Sequence, residues 1–173
     1  MDLQSTYHEP VMLSECLDGL NIRPDGIYVD VTFGGGGHSR AILEKLTTGR
    51  LLVFDQDPDA MANAEAFRQN PCFTFIAANF RHLKRYLRLN KAEKVDGILG
   101  DLGVSSHQIN TPVRGFSTRF DADLDMRMNP NNEKTAQEVL DMPTQVVEGS
   151  GYVISSEADL LAAGCTIQIT SIG

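Results

Sequence analysis

Four kinds of residue collect where apolar runs of this chain stop: glycines, a histidine, lone aspartates and an Asn-Phe pair. The segment DVTFGGGGH occupies residues 30–38, with His38 closing it. Asp55 ends the run RLLVF, Asn79 and Phe80 follow FTFIA with one residue between, and Asp101 follows VDGILG. Glycine lets backbone approach a ligand closely and adopt positive φ, at an entropic cost wherever it is ordered. Carboxylates accept hydrogen bonds from hydroxyls or amines, and a phenylalanine ring offers a flat apolar face. The four glycines are therefore a linker, a phosphate cradle, or a floor for a cofactor.

Spacing separates these readings. A dinucleotide fingerprint GxGxxG needs a third glycine for close packing of helix on strand. Started at Gly34 the template ends on Ser39, and started at Gly35 it ends on Arg40. No Gly-Lys-Ser or Gly-Lys-Thr follows, so the phosphate loop of nucleotide hydrolases is absent as well. A glycine loop that opens a helix without a pyrophosphate pattern suits a cofactor without phosphate, such as S-adenosylmethionine. Asp55 would then accept bonds from the ribose hydroxyls. A purely structural strand-to-helix turn is the other reading.

The elements that position these residues alternate. Residues 10–20 read as a helix with Pro10 in its first turn. Residues 27–32 form a strand, and 39–46 an amphipathic helix with Ile42, Leu43 and Leu46 on one face. A second strand is expected at 50–54, a helix at 58–68, a third strand at 73–77, a helix at 80–89 and a fourth strand at 95–100. Strands alternating with helices predict a parallel α/β sheet. Ligands in such sheets gather at the carboxyl ends of strands, where the glycines, Asp55, Phe80 and Asp101 all lie. Residues 102–133 read as a long loop over the site, Thr135 to Glu138 as a capping box opening a short helix. From Met142 the chain reads as a small separate unit with two short strands, a helix and a terminal strand.

The chain has 173 residues, enough for one ordinary domain. A net charge of −8 argues against general polyanion binding, but leaves room for a local basic face. Arg81, Lys84, Arg85 and Arg88 recur at helical spacing and are either a solvated face or a contact for RNA backbone. Arg114, Arg119 and Arg127 in the long loop carry the same ambiguity. Three widely spaced cysteines without CxxC spacing suggest a reducing cytoplasm, with Cys16 and Cys72 as core thiols. No apolar run approaches ~18 residues, and the N-terminus lacks a signal-peptide layout. DADLD at 121–125 begins like a calcium loop, but Met126 replaces its glycine and Asn132 its terminal Glu, so no metal is expected.

A resemblance carried by several motifs in one order is more specific. These are YHEPVML at 7–13, GLNIRP at 19–24, DVTFGGGGH at 30–38, DQDP at 55–58, DGILGDLGVSS at 96–106, RGFS at 114–117 and LDMRM at 124–128. Together they resemble the bacterial ribosomal small-subunit RNA methyltransferase H family, also called MraW, which methylates N4 of a decoding-centre cytidine. The resemblance implies a Rossmann-like class I S-adenosylmethionine-dependent methyltransferase fold. It implies cofactor contacts from Gly36, Gly37, His38, Asp55, Phe80, Asp101 and Gln108. It further implies 16S ribosomal RNA in the small subunit as partner and a cytoplasmic enzyme.

Asp101 is the expected acceptor for the target amine, with cofactor positioning alone as the competing role, and Phe116 is either a lid over a flipped base or a core residue. Two departures bear on this. Leu-Gly-Val follows Asp101 where many amino-group methyltransferases carry Pro-Pro and an aromatic. The residues around Asp123 replace the family's usual Gly-Pro. The match stops near Leu140, so the expectation is a partial methyltransferase core at 1–141 and an atypical tail at 142–173. That tail either completes the sheet or marks a chain truncated or rearranged at its C-terminus. The function expected is rRNA cytosine-N4 methylation. The alternatives are a catalytically silent cofactor- or nucleotide-binding domain that has lost the RNA-receiving half and, more weakly, a nicotinamide oxidoreductase.

Overall fold

A computed structural model of the chain describes residues 10–141. The readings made on Tyr7 to Glu9, on Cys165 and on the unit from Met142 onward lie outside them. The elements run α1 (Leu13–Leu20), β1 (Ile27–Asp30), α2 (Gly37–Leu43), β2 (Arg50–Asp55), α3 (Pro58–Ala64), β3 (Phe73–Ala77), α4 (Leu83–Leu89), β4 (Gly97–Leu99), α5 (Ser106–Asn110) and α6 (Ala136–Leu140). Three-residue 3-10 turns follow α3, precede α4 and follow α5.

All strand pairs are parallel, in the order β3-β2-β1-β4, with Val29 opposite Leu52 on one side and Ile98 on the other. The α/β expectation and the alternation of strands and helices hold. The central strands β1 and β2 bury both faces, as parallel strands covered by helices do, whereas Ile98 on the edge strand β4 is 50% exposed. On β1 and β2, Tyr28, Leu51 and Val53 join a core with α1, α2 and α3, including Ile42, Leu43 and Leu46. Val29, Leu52 and Phe54 point the other way, onto Leu87 of α4 with Leu83 and Tyr86 beside it. The period-two alternation thus sorts the helices into two layers. After β1 the chain moves to β2 and β3, then returns to the far side of β1 as β4. The carboxyl ends of β1 and β4 therefore form the switch point where such sheets bind ligands.

Several boundaries differ from the sequence expectations. Pro10 does not open α1: Met12 is left-handed (φ 52°) and caps the helix, so helical backbone begins only at Leu13. The expected helices at 58–68 and 80–89 each split into an α segment and a 3-10 turn. The segment 102–133 is not loop throughout, since it holds α5 and the 3-10 turn Pro112–Arg114. Cys72 is buried, while Cys16 is half-buried at the rim of the first core rather than inside it. No helix among the described residues is long and apolar enough to cross a membrane.

Candidate functional site

The glycine loop leaves β1 after Asp30 and enters α2 at Gly37. Gly36 caps that helix at φ 78°, and a Cβ there would sit 2.9 Å from both Phe33 and Phe67, so conformation and space both demand glycine. A Cβ on Gly37 would fall 2.3 Å from Pro10, whose ring packs onto the loop. Carboxylates fasten the rest. The Gly34 N–H donates to Asp55 Oδ2 (2.8 Å), and the Asp57 N–H to Asp55 Oδ1 (2.9 Å). Asn63 Nδ2 donates to the Gly34 carbonyl at 3.0 Å. Asp30, fully buried, accepts from Ser39 Oγ (2.7 Å) and the Thr32 N–H (3.0 Å). The Asp101 N–H donates to Thr32 Oγ1 at 2.7 Å, which ties the end of β4 to that of β1.

Burial lifts the Asp30 carboxyl above the ordinary carboxylate range against its bonds to Ser39 and Thr32. Burial also lifts Asp55, against the N–H groups of Asp57 and Gly34. The Cys16 thiol is raised by burial first and then by the Asp101 charge, which places α1 beside the end of β4. The Asp101 carboxylate itself is exposed and makes no hydrogen bond or ion pair among the described residues. Beside it stand Leu102 and Val104, both exposed.

The strand ends bring together Gly36, Gly37, Asp55, Phe80 and Asp101. Phe80 is 42% exposed, so it is no core residue. It opens the turn after Asn79, and Asn79 Nδ2 donates to Gln56 Oε1 at 2.9 Å, joining the ends of β3 and β2. His38 and Gln108 are placed differently. The buried His38 ring turns to the Val11 carbonyl (3.0 Å), which latches the strap ahead of α1 over the loop. Gln108 is buried, its Oε1 accepting the Ser105 N–H and its Nε2 donating to Asp57 Oδ2 at 2.8 Å.

That last bond belongs to a network with no counterpart in the sequence reading. The Arg114 guanidinium is buried; its Nη1 lies 2.8 Å from Asp57 and 3.2 Å from Asp59, and its Nη2 donates to the carbonyls of Arg127 (3.0 Å) and Met128 (3.1 Å). His107 also reaches Asp59, at 3.0 Å. Arg114 thus pins LDMRM to the start of α3, two residues after Asp55. The Ser105-x-x-Gln108 capping box that builds α5 was a readable signal, whereas nothing local marks Arg114.

The other loop arginines are also held, Arg127 by Asp125 and Arg119 by Asn110 (2.7 Å). The Arg127 bonds pull the Asp125 carboxyl below its usual range. Arg81, Lys84, Arg85 and Arg88 are all exposed, and Phe116 is half-buried. Beside the ends of β2 and β3, an open groove of about 630 Å³ runs between Gln56, Asn79 and the stretch Leu124 to Leu140. No group of three His, Cys, Asp or Glu side chains among the described residues is placed to hold a metal.

Comparison with known proteins places this geometry. Residues 5–146 match the MraW methylase family. A ribosomal RNA small subunit methyltransferase H from Cytophaga hutchinsonii is 63% identical over 134 residues, 78% of this chain and 45% of that protein. Its counterparts from Christiangramia forsetii and Flavobacterium johnsoniae are each 59% identical over 135 residues, 78% of this chain and 44% of theirs. The chain thus spans a little under half the length of these relatives. A solved rRNA methylase from Streptococcus thermophilus aligns with 44% of this chain and 43% of its own at 23% identity and a TM-score of 0.34, too slight a likeness to bear on fold or function. With the family match covering most of the sequence, the chain belongs to the MraW methylase family.

Proposed function

We propose that the strand ends form the S-adenosylmethionine site of an rRNA methyltransferase, acting on N4 of a cytidine in 16S ribosomal RNA in the cytoplasm. The observation that carries this is the charge of the floor. Asp55 and Asp101 flank a glycine loop with no lysine or arginine in it, so an anionic phosphate would meet repulsion there. A cationic sulfonium with an amino group and two ribose hydroxyls meets acceptors instead. Asp55 uses its carboxylate to hold Gly34 and Asp57 and keeps lone pairs for ribose hydroxyls. Exposed Phe80 offers an apolar face to an adenine. Gly36 and Gly37 shape the loop beneath the cofactor, their α-carbons packed on Phe33, Phe67 and Pro10. His38 and Gln108 serve the same site by holding the strap and the start of α3.

S-adenosylmethionine, when bound, supplies a methyl group already activated by the sulfonium. What the protein then adds is alignment of the acceptor nitrogen behind the methyl carbon. The cytosine amine is a poor nucleophile because its lone pair is spread into the ring. The unpartnered Asp101 carboxylate accepts a hydrogen bond from that amine, draws the lone pair out of conjugation and stabilises the positive charge that builds on nitrogen. With S-adenosylmethionine bound, Asp101 or water would take the proton that the methylated amine gives up.

The relatives' name supports an rRNA substrate, and the proposal extends it to this shorter chain. The test is label transfer from methyl-tritiated S-adenosylmethionine to small ribosomal subunits that lack the modification. Incorporation at N4 of cytidine supports the reading. Tight cofactor binding without transfer would overturn it and leave a silent cofactor-binding domain.

A further inference from the structure

Charge on this chain is strongly segregated. Residues 81–94 hold six of its fifteen lysines and arginines (Arg81, Lys84, Arg85, Arg88, Lys91 and Lys94) against one acid, Glu93. Their net charge is +5, and the whole chain carries −8, so the remaining residues carry −13. The fold turns the first four cations outward. Leu83, Tyr86 and Leu87 pack against the second core, and Arg81, Lys84, Arg85 and Arg88 are exposed on the opposite side.

Among the described residues, every cation outside 81–94 except Lys45 has a partner. Arg23 pairs with Asp96, Arg68 with Glu65, Arg114 with Asp57 and Arg127 with Asp125. Arg50 and Arg119 donate to Asn90 and Asn110, and Arg40 lies over the Phe67 ring. Arg81 meets only its neighbour His82. Lys84, Arg85 and Arg88 make no hydrogen bond or ion pair among the described residues. In a chain with 23 acids, three adjacent unpaired cations are a surface held ready for an anion from outside.

Position favours RNA backbone as that anion. Arg81 directly follows Phe80 at the end of β3, so the basic face begins at the mouth of the candidate site. From there it runs about 10 Å along the helix at 1.5 Å per residue. We infer that the exposed face of α4, with Lys84, Arg85 and Arg88 at its centre, binds the sugar-phosphate backbone of the substrate RNA and guides it toward the strand ends. This rests on the proposed rRNA methyltransferase reading. The loop arginines drop out of the same role, because each already serves the fold.

The test measures binding of the full chain to a fluorescein-labelled 20-nucleotide single-stranded RNA over a range of salt. S-adenosylmethionine binding is measured by calorimetry in parallel. Three to four phosphate contacts predict a slope of log K against log salt of about −2 to −3 for a single strand. The variant K84Q/R85Q/R88Q should bind RNA at least tenfold more weakly and lose about 2 from that slope. Its cofactor affinity and unfolding midpoint should not change. The charge-conserving K84R/R85K/R88K should behave like the native chain, and R119Q should leave RNA binding untouched.

The inference is overturned if the neutralised variant binds RNA with native affinity and slope. It is equally overturned if the native chain binds no RNA, or if only anionic vesicles and not RNA respond to the substitutions. Where the native chain binds S-adenosylmethionine but RNA ignores the α4 face, only this inference falls. Where the native chain binds no S-adenosylmethionine, the methyltransferase reading falls with it.

Discussion

Replacing Arg114 by alanine tests the linkage between the two sides of the site. The guanidinium is 7% exposed and its partner Asp57 9%, so the pair is a buried ion pair rather than a surface one. Removing one member of such a pair leaves an uncompensated charge, at about 3–5 kcal/mol. Gln108 still donates to Asp57, which keeps the cost below the upper end. The carbonyls of Arg127 and Met128 lose their donor as well, but their surroundings are half-buried and water can replace it.

The expected loss is therefore about 4 kcal/mol, a large part of the ~5–15 kcal/mol that holds a domain folded. With a urea m-value of about 2 kcal/mol/M, the midpoint should fall by roughly 2 M. Arg114→Lys keeps a charge near Asp57 but not the planar fork, so it should recover part of the loss. Asp57→Asn combined with Arg114→Leu should be more stable than the two single effects predict, because both charges leave together. Urea unfolding followed by circular dichroism reads these variants, both single members of the cycle and the native chain. A midpoint shift below 0.5 M, about 1 kcal/mol, for Arg114→Ala would refute the clamp, as would strict additivity in the cycle.

Other substitutions address the floor and the chemistry. Gly36→Ala imposes a left-handed alanine and a 2.9 Å contact on two rings; a loss of about 2–4 kcal/mol should appear as a lower thermal midpoint. Asp55→Asn turns an amide donor toward one of the two N–H groups now bonded, so calorimetry should show S-adenosylmethionine affinity reduced at least tenfold. Asp101→Ala keeps the backbone bond to Thr32 but removes one acceptor from the floor, so methyl transfer should fall about 100-fold or more, well beyond any loss of cofactor affinity; full turnover would remove Asp101 from the chemistry. For Asp30, burial raises the folded-state pKa above the unfolded value, so the native state holds the proton to higher pH. Its contribution to stability is then greatest below the ordinary carboxylate value and falls as pH rises through the window up to the raised value. Asp30→Asn should flatten the curve of unfolding midpoint against pH above about 4, and parallel curves for variant and native chain would contradict the assignment.

Sequence reading succeeded where local pattern and global fold agree. The runs RLLVF and FTFIA became β2 and β3 almost to the residue: β2 is apolar and buried on both faces, and the aromatic and β-branched residues of the half-buried β3 favour a strand. It failed where a distant contact decides. Pro10 suits the first turn of a helix, yet it lies against Gly37 while Val11 accepts from His38, and left-handed Met12 lets the chain enter at that angle. β1 stops at Asp30, where the Asp30 carboxylate captures the Thr32 N–H and bends the chain into the loop. α5 lacks an apolar stripe and is held by its cap and by Asp57, so periodicity could not reveal it. Arg114 and Asp57 stand 57 positions apart, and no short-range rule connects them.

Asp57 is where these threads meet. Its backbone N–H steadies Asp55 and its side chain caps α3, while the same carboxylate holds Gln108 and Arg114. Through Arg114 the carbonyls of LDMRM are tied to the residue pair that faces the proposed cofactor. A displacement of LDMRM by bound RNA would therefore reach Asp55 through a buried ion pair and one backbone bond. The glycine floor, by contrast, is fastened by Asp30, Asp55, Asn63 and Thr32, which lie outside the basic α4 segment. Cofactor affinity should thus respond to Arg114 and ignore Lys84, Arg85 and Arg88, while RNA affinity should follow the α4 face. Two families of substitutions that separate in this way would mean that the floor and the basic face are distinct devices joined by the Asp57 clamp; a common response would mean one undivided surface.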